Sequence, residues 1–189
     1  MRHKYETRGI VLARTPLGEA NAFVTLLTPE LGLVRARAQG IRRPGAKLAA
    51  ALATFSESSF VLVRGREGWR LAGAVLEENW FKRLARAAAR ERAARVSGLL
   101  LRLVAGEAHE PALFPLMHSF LEALSDIPEE LHTAAETFAA LSVLAVLGFD
   151  RGELPGEPLA FTPAALAAVA QKSTYYIARI NHGIEASGL

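Results

Sequence analysis

The chain changes character at residue 80. Up to Asn79 it is built of short β-rich runs cut by Gly and Pro, whereas from Trp80 onward Ala, Leu, Glu and Arg dominate and β-branched runs nearly vanish. Strands gathered in one stretch and helices in another predict an α+β chain with two parts, residues 1–79 and 80–189. At 189 residues the chain has room for one ordinary domain or two small ones.

Five β-rich runs fall in the first part: Ile10 to Arg14, Ala22 to Thr28, Leu33 to Gln39, Ser59 to Arg64 and Trp69 to Leu76. The third alternates, with Val34, Ala36 and Ala38 on one face and Arg35, Arg37 and Gln39 on the other. Between the third and fourth runs, Lys47 to Thr54 has the Ala/Leu composition of a short helix. Three strands, a helix and two strands is the order of a five-stranded OB-fold β-barrel, a scaffold used for oligonucleotides; the pattern alone also permits another small barrel. The second part reads as an all-α helical domain, with helices at about 80–105, 112–124, 129–147, 163–171 and 173–186. Pro111 and Pro115 open the second helix and Gly148 closes the third, while Thr162 before Pro163 is an N-cap followed by proline at the first helical position.

Several chemistries are excluded or left without support. There is no cysteine, so disulfides, thiolate zinc sites, iron–sulfur clusters and a cysteine nucleophile are all ruled out. His3, His109, His118, His132 and His182 are scattered without ligand spacing, and no metal or cofactor is expected. Gly40, Gly45 and Lys47 resemble a phosphate-binding loop only loosely: the lysine is one place late, no Ser or Thr follows it, and Pro44 removes an N–H the cradle would use. The pairs Glu77–Glu78 and Glu129–Glu130 are adjacent and point to different sides of their elements, so no acid–base couple emerges. No serine sits in a nucleophile turn. The expectation is a protein that is not an enzyme. The apolar stretches Leu99 to Val104 and Leu141 to Phe149 fall far short of the roughly 20 residues of a membrane helix. Arg2, Lys4, Glu6 and Arg8 do not form a secretory signal, so a cytoplasmic location is expected.

Charge is the informative signal. Residues 1–95 carry 18 Lys and Arg against 8 Asp and Glu, a net of +10, whereas residues 96–189 carry 4 against 11, a net of −7. Such asymmetry predicts that one half meets a polyanion; mutual attraction of the halves is the alternative. Arg35 and Arg37 on one strand face, followed by Arg42, Arg43 and Lys47, form a five-cation track suited to an irregular phosphate backbone. Phe60 and Trp69 offer either stacking faces or core. In the first helix Lys82, Arg83, Arg86 and Arg90 fall within about 100° of arc, which suits DNA contact or a solvated face equally. Arg92 and Arg95 lie toward the apolar side, and pairing with acids across the domain junction is expected.

Residues 9–76 resemble a known family. A first strand from Gly9 to Arg14, Gly18 and Glu19, Leu27-Thr28-Pro29-Glu30 with Gly32, then Ala38-Gln39-Gly40, Arg42-Arg43 and Lys47-Leu48 are similar to the amino-terminal domain of the bacterial recombination mediator RecO. Leu147-Gly148-Phe149 resembles the segment that precedes a four-cysteine zinc site in many relatives; here a brief Pro/Gly loop runs from Asp150 to Phe161, as in reduced, metal-free members. The resemblance implies an OB-fold joined to a helical domain and binding to single- and double-stranded DNA. It further implies strand annealing and loading of RecA with RecR onto strands coated by single-strand-binding protein. Relatives engage the acidic tail of that protein through the helical domain, where this chain has only Arg102, Arg151, Lys172 and Arg179 as Lys or Arg. The leading expectation is a non-catalytic DNA-binding recombination mediator in DNA repair. The alternative is an OB-fold adaptor for RNA or protein.

Overall fold

A computed structural model describes residues 3–41, 45–104, 106 and 109–189. Its elements are β1 (His3–Leu17), β2 (Asn21–Thr28), β3 (Gly32–Ala38), β4 (Ser56–Gly65), β5 (Gly68–Asn79), α1 (Trp80–Arg83), α2 (Ala87–Leu103), α3 (Leu113–Asp126), α4 (His132–Val146), α5 (Pro163–Gln171) and α6 (Ser173–Ala186). They form two compact units, residues 1–83 with 106–114, and residues 84–105 with 115–189.

The five strands close into a barrel in the order β1-β2-β3-β5-β4, the OB arrangement. Strand β1 is three times as long as its apolar run. Its first part pairs with β4, from His3↔Arg64 to Ile10↔Glu57, and its second part with β2, from Ile10↔Leu27 to Leu17↔Asn21. One strand thus serves two neighbours, with a bulge between Val11 and Ala13 where it bends from one to the other. The polar stretch His3 to Arg8 hides this in sequence because its side chains sit largely at the surface. Alternation on β3 is as the sequence predicts: Val34, Ala36 and Ala38 enter the core with Val24, Leu26, Phe60 and Leu62, and Arg35 is exposed.

Residues 47–54 form successive turns rather than the expected helix. Hydroxyl groups from the next strand take carbonyls a helix would use: Ser56 Oγ donates to Ala51 O at 2.8 Å and Ala53 O at 2.7 Å, and Ser58 Oγ to Ala51 O at 2.9 Å. Phe55 then adopts φ 61°, a left-handed turn that directs the chain into β4.

The predicted helix over 80–105 is two helices. Trp80 is sealed in the barrel unit: its N–H donates to Phe55 O at 3.0 Å and its indole Nε1 to the buried Glu57 carboxylate at 2.8 Å, which Arg8 also reaches at 2.5 Å. This anchorage commits the first turn to the barrel unit. Helicity stops at Leu84, and α2 starts afresh after Arg86, whose backbone is extended. Arg90 Nε closes the break by donating to Leu84 O at 2.7 Å.

In the helical unit α4 packs against α2, α5 and α6. Its own buried residues, among them Ala135, Phe138, Leu141 and Leu144, lie on several sides of it, as suits a central helix. Gly148, at φ 79°, ends it: Phe149 N donates back to Leu144 O and Gly148 N to Ala145 O, the glycine-terminated cap the sequence predicts. Thr162 caps α5 by accepting from Ala165 N at 3.2 Å. No helix among the described residues is long and apolar enough to cross a membrane.

Arg92 and Arg95 do pair with acid, but inside this unit: both donate to Glu136 of α4, at 2.7 Å and 2.5 Å. Burial would raise the Glu136 carboxyl; hydrogen bonds from Arg95 and Arg92 outweigh it and hold the group below the usual carboxylate range. Stabilisation by this lowered acid is present above the unfolded carboxyl value of about 4.3 and fades as pH falls through the lower folded one. Glu136→Gln is therefore expected to lower unfolding free energy at neutral pH by about 1–3 kcal/mol. It should also flatten part of the acid limb in denaturant titrations across pH. A variant as stable as the parent at neutral pH would show that the pair only decorates the helices.

Candidate nucleic-acid interface

The barrel closes between β3 and β5 through two parallel register pairs, Ala36↔Trp69 and Arg37↔Arg70. The second sets two guanidinium side chains beside each other on neighbouring strands. Like charges so placed repel, and each would ordinarily be matched by an acid. Here neither Arg37 nor Arg70 has a carboxylate within salt-bridge distance among the described residues.

Around this pair lies a cleft of about 750 Å³, lined by Arg37, Arg64, Arg66, Arg70, Phe23 and Trp69 among others. Among the described residues, Glu67 is the one carboxylate in its lining. Two arginines lie over aromatic rings: Arg35 is 4.2 Å from the centroid of Phe23, and Arg64 is 4.9 Å from that of Trp69. Both contacts hold the guanidinium groups against aromatic rings of the barrel. The β4–β5 hairpin, turning tightly at Gly65 to Gly68, delivers Arg64, Arg66 and Arg70 to this side. Gly68, at φ 101°, fits a turn that a side chain would strain.

The predicted track is brought together in part. Arg35 is exposed on the outer face of β3, Arg37 is half-buried beside Arg70, and Lys47 is exposed on the turns that follow. Arg42 and Arg43 lie outside the described residues. Phe60 is core, and Trp69 is half-buried at the cleft. Arg64, Arg66 and Arg70 are not singled out by the sequence reasoning. Three arginines within seven residues around a hairpin turn are a signal, yet only barrel closure brings them to Arg37.

The second predicted group does not share one helix face. Lys82 and Arg83 sit on α1 in the barrel unit, whereas Arg86 and Arg90 belong to the helical unit, because the helix breaks at Leu84. Lys82 is exposed. Arg83 lies over Trp80 at 4.9 Å and pairs with Glu78 at 3.5 Å. Arg86 pairs with Glu129, and Arg90 bonds the Leu84 and Ala85 carbonyls. Three of these four cations thus have intramolecular partners. The helical unit spends others similarly: Arg179 binds Asp150 and the Glu153 carbonyl, and its guanidinium is held above its ordinary range by the Asp150 hydrogen bond.

Unneutralised charge therefore concentrates on the barrel unit. By sequence, residues 1–83 with 106–114 hold 14 Lys and Arg against 9 Asp and Glu, net +5; the remainder hold 8 against 10, net −2. A small OB barrel with a cationic, aromatic-lined cleft on its outer side defines the class of this chain. Residues 1–78 match the sequence model of the family described as Recombination protein O N terminal. The chain is 31% identical over 124 residues to DNA repair protein RecO of Dehalococcoides mccartyi, covering 66% of this chain and 49% of that one. It is 34% identical over 146 residues to the protein of that name from Gloeobacter violaceus, covering 76% and 55%. With a Synechococcus relative of the same name the figures are 33% over 155 residues, 77% and 54%. Over residues 1–78 the chain is thus similar to the amino-terminal domain of RecO proteins. It spans about half the length of these three relatives.

Repulsion at the closure has a measurable consequence. Arg70→Ala should hold or raise the melting temperature at low ionic strength, by the equivalent of up to about 1 kcal/mol. Added salt should stabilise the parent more than the variant. A clear loss of stability in low salt would mean that Arg70 supports the barrel instead of straining it.

Proposed function

We propose that the chain is a non-catalytic, DNA-binding mediator in recombinational DNA repair. Support comes first from one observation: Arg37 and Arg70 are register partners without an acid, in a cleft that also holds Arg64 and Arg66. A folded protein keeps such repulsion where a polyanion relieves it. Phosphate contacts from long flexible stems follow an irregular backbone, release counterions and carry no sequence information, which suits a task that must work on any strand. The names of the relatives, DNA repair protein RecO, point to the same process.

Within that reading the family resemblance supplies the finer roles: annealing of complementary strands, and loading of RecA together with RecR onto strands coated with single-strand-binding protein. Annealing requires one protein to screen two backbones while leaving base edges free. The barrel cleft supplies one cationic surface for this; the exposed Lys82 adds a single further cation. Arg86 and Arg90, engaged with Glu129 and with backbone carbonyls, contribute first to the helical unit itself.

Titration of a labelled single strand at several salt concentrations tests the reading. Binding should weaken steeply as salt rises, and Arg37→Ala with Arg70→Ala should make the log–log slope shallower by about 0.7 for each phosphate left unneutralised. ATP should not be hydrolysed in the same samples. Absence of DNA binding, with binding of an RNA or a protein instead, would overturn the proposal in favour of an adaptor.

A further inference from the structure

Resting on that reading, we propose that the β3–β5 seam is a latch: its strands part locally in the free protein, and phosphates bound across Arg37 and Arg70 hold them closed. The seam is the shortest junction of the barrel. Among the described residues it has two register pairs, where every other junction has seven or more. It is also the one parallel junction, a geometry slightly less stable per residue than the antiparallel one. Losing it opens the ring into a sheet ordered β3-β2-β1-β4-β5, with all other pairings intact.

Closure is costly for two reasons. It sets Arg37 beside Arg70, with Arg64 and Arg66 in the same cleft. It also leaves Arg37 Nε and Trp69 Nε1, one from each strand, buried without a hydrogen-bond partner among the described residues. Dry, unpaired donors are unfavourable, and parting the strands lets water reach both. What opposes opening is the packing of Ala36 and the half-buried Trp69 in the core. A polyanion shifts this balance because the two guanidinium groups stand side by side only in the closed seam. Phosphates therefore bind the closed form more tightly than the open one, and such a difference in affinity is what a ligand needs to shift a population.

Because the chain has no cysteine, opening can be read by thiol labelling. Ala36 is fully buried, so Ala36→Cys reacts when the seam parts; Val11→Cys, equally buried in the same core, reports opening of the whole barrel. Without ligand, Ala36→Cys should label at least about ten-fold faster than Val11→Cys. A saturating short single strand should slow it by about ten-fold or more. Sulfate, too small to cover the seam, should slow it as well, and adding Arg70→Ala should slow it with no ligand present. If Ala36→Cys does not fold, amide exchange of residues 36–38 and 69–71 in the unaltered protein reads the same opening. Equal rates at the two positions overturn the latch and leave the DNA-binding reading standing. So does slowing by the strand alone, without effect of sulfate or of Arg70→Ala, since the strand then merely covers the seam. Absence of DNA binding overturns that reading, and the sulfate and Arg70→Ala arms still decide the latch.

Discussion

Closure of the barrel between β3 and β5 is the constraint on which the rest depends. An OB barrel must join these strands in parallel, and here the join is short: Ala36 beside Trp69 inside the rim, Arg37 beside Arg70 outside it. Apolar packing on one side of the seam stabilises closure, since Ala36 is fully buried and Trp69 packs on the same core as Leu62 and Leu71. On the other side two cations repel. The opposition arises from the pleat itself, because successive residues on a strand face opposite ways. A core-facing set at Val34, Ala36 and Ala38 obliges Arg35 and Arg37 to face out, where the hairpin arginines gather. The packing that stabilises closure and the proposed ligand surface therefore lie on the two faces of one seam.

A buried carboxylate organises the other end of the barrel unit. Glu57 accepts from Trp80 and from Arg8, and so ties β4, α1 and β1 together. That tie also explains why one amphipathic pattern becomes two helices. Trp80 is held to the barrel, and the chain after Leu84 enters another compact unit, where Arg92 and Arg95 close on Glu136. The basic run at residues 82–95 looks like a patch when counted along the chain. In three dimensions most of it is internal wiring. Net positive charge that remains available lies on the barrel, which is the physical content of the charge asymmetry.

Much of the fold is legible in the sequence because it is written in short-range chemistry. The β3 alternation, the Gly148 terminator and the Thr162–Pro163 cap each depend on residues a few positions apart, and each is found as predicted. Expectation and structure part where a distant partner intervenes. Ser56 and Ser58 take the carbonyls that Ala/Leu composition assigns to a helix, and Trp80 finds Glu57 more than twenty residues away. The candidate site divides along the same line. Arg35 and Arg37 are visible from the pleat of their own strand, whereas Arg64, Arg66 and Arg70 join them only through a pairing between strands some thirty residues apart. Trp69 reads in sequence as either core or stacking platform; its ring packs against the core and also lines the cleft.

The proposed binding of a polyanion on the outer side of the barrel seam is what would tie fold to function. Mapping amide chemical-shift changes on adding a short single strand tests it most directly. Changes should concentrate on Phe23, Arg35 to Gln39 and Arg64 to Arg70, with Ala87 to Leu103 unaffected. Changes confined to residues of the helical unit, with the seam silent, would contradict it.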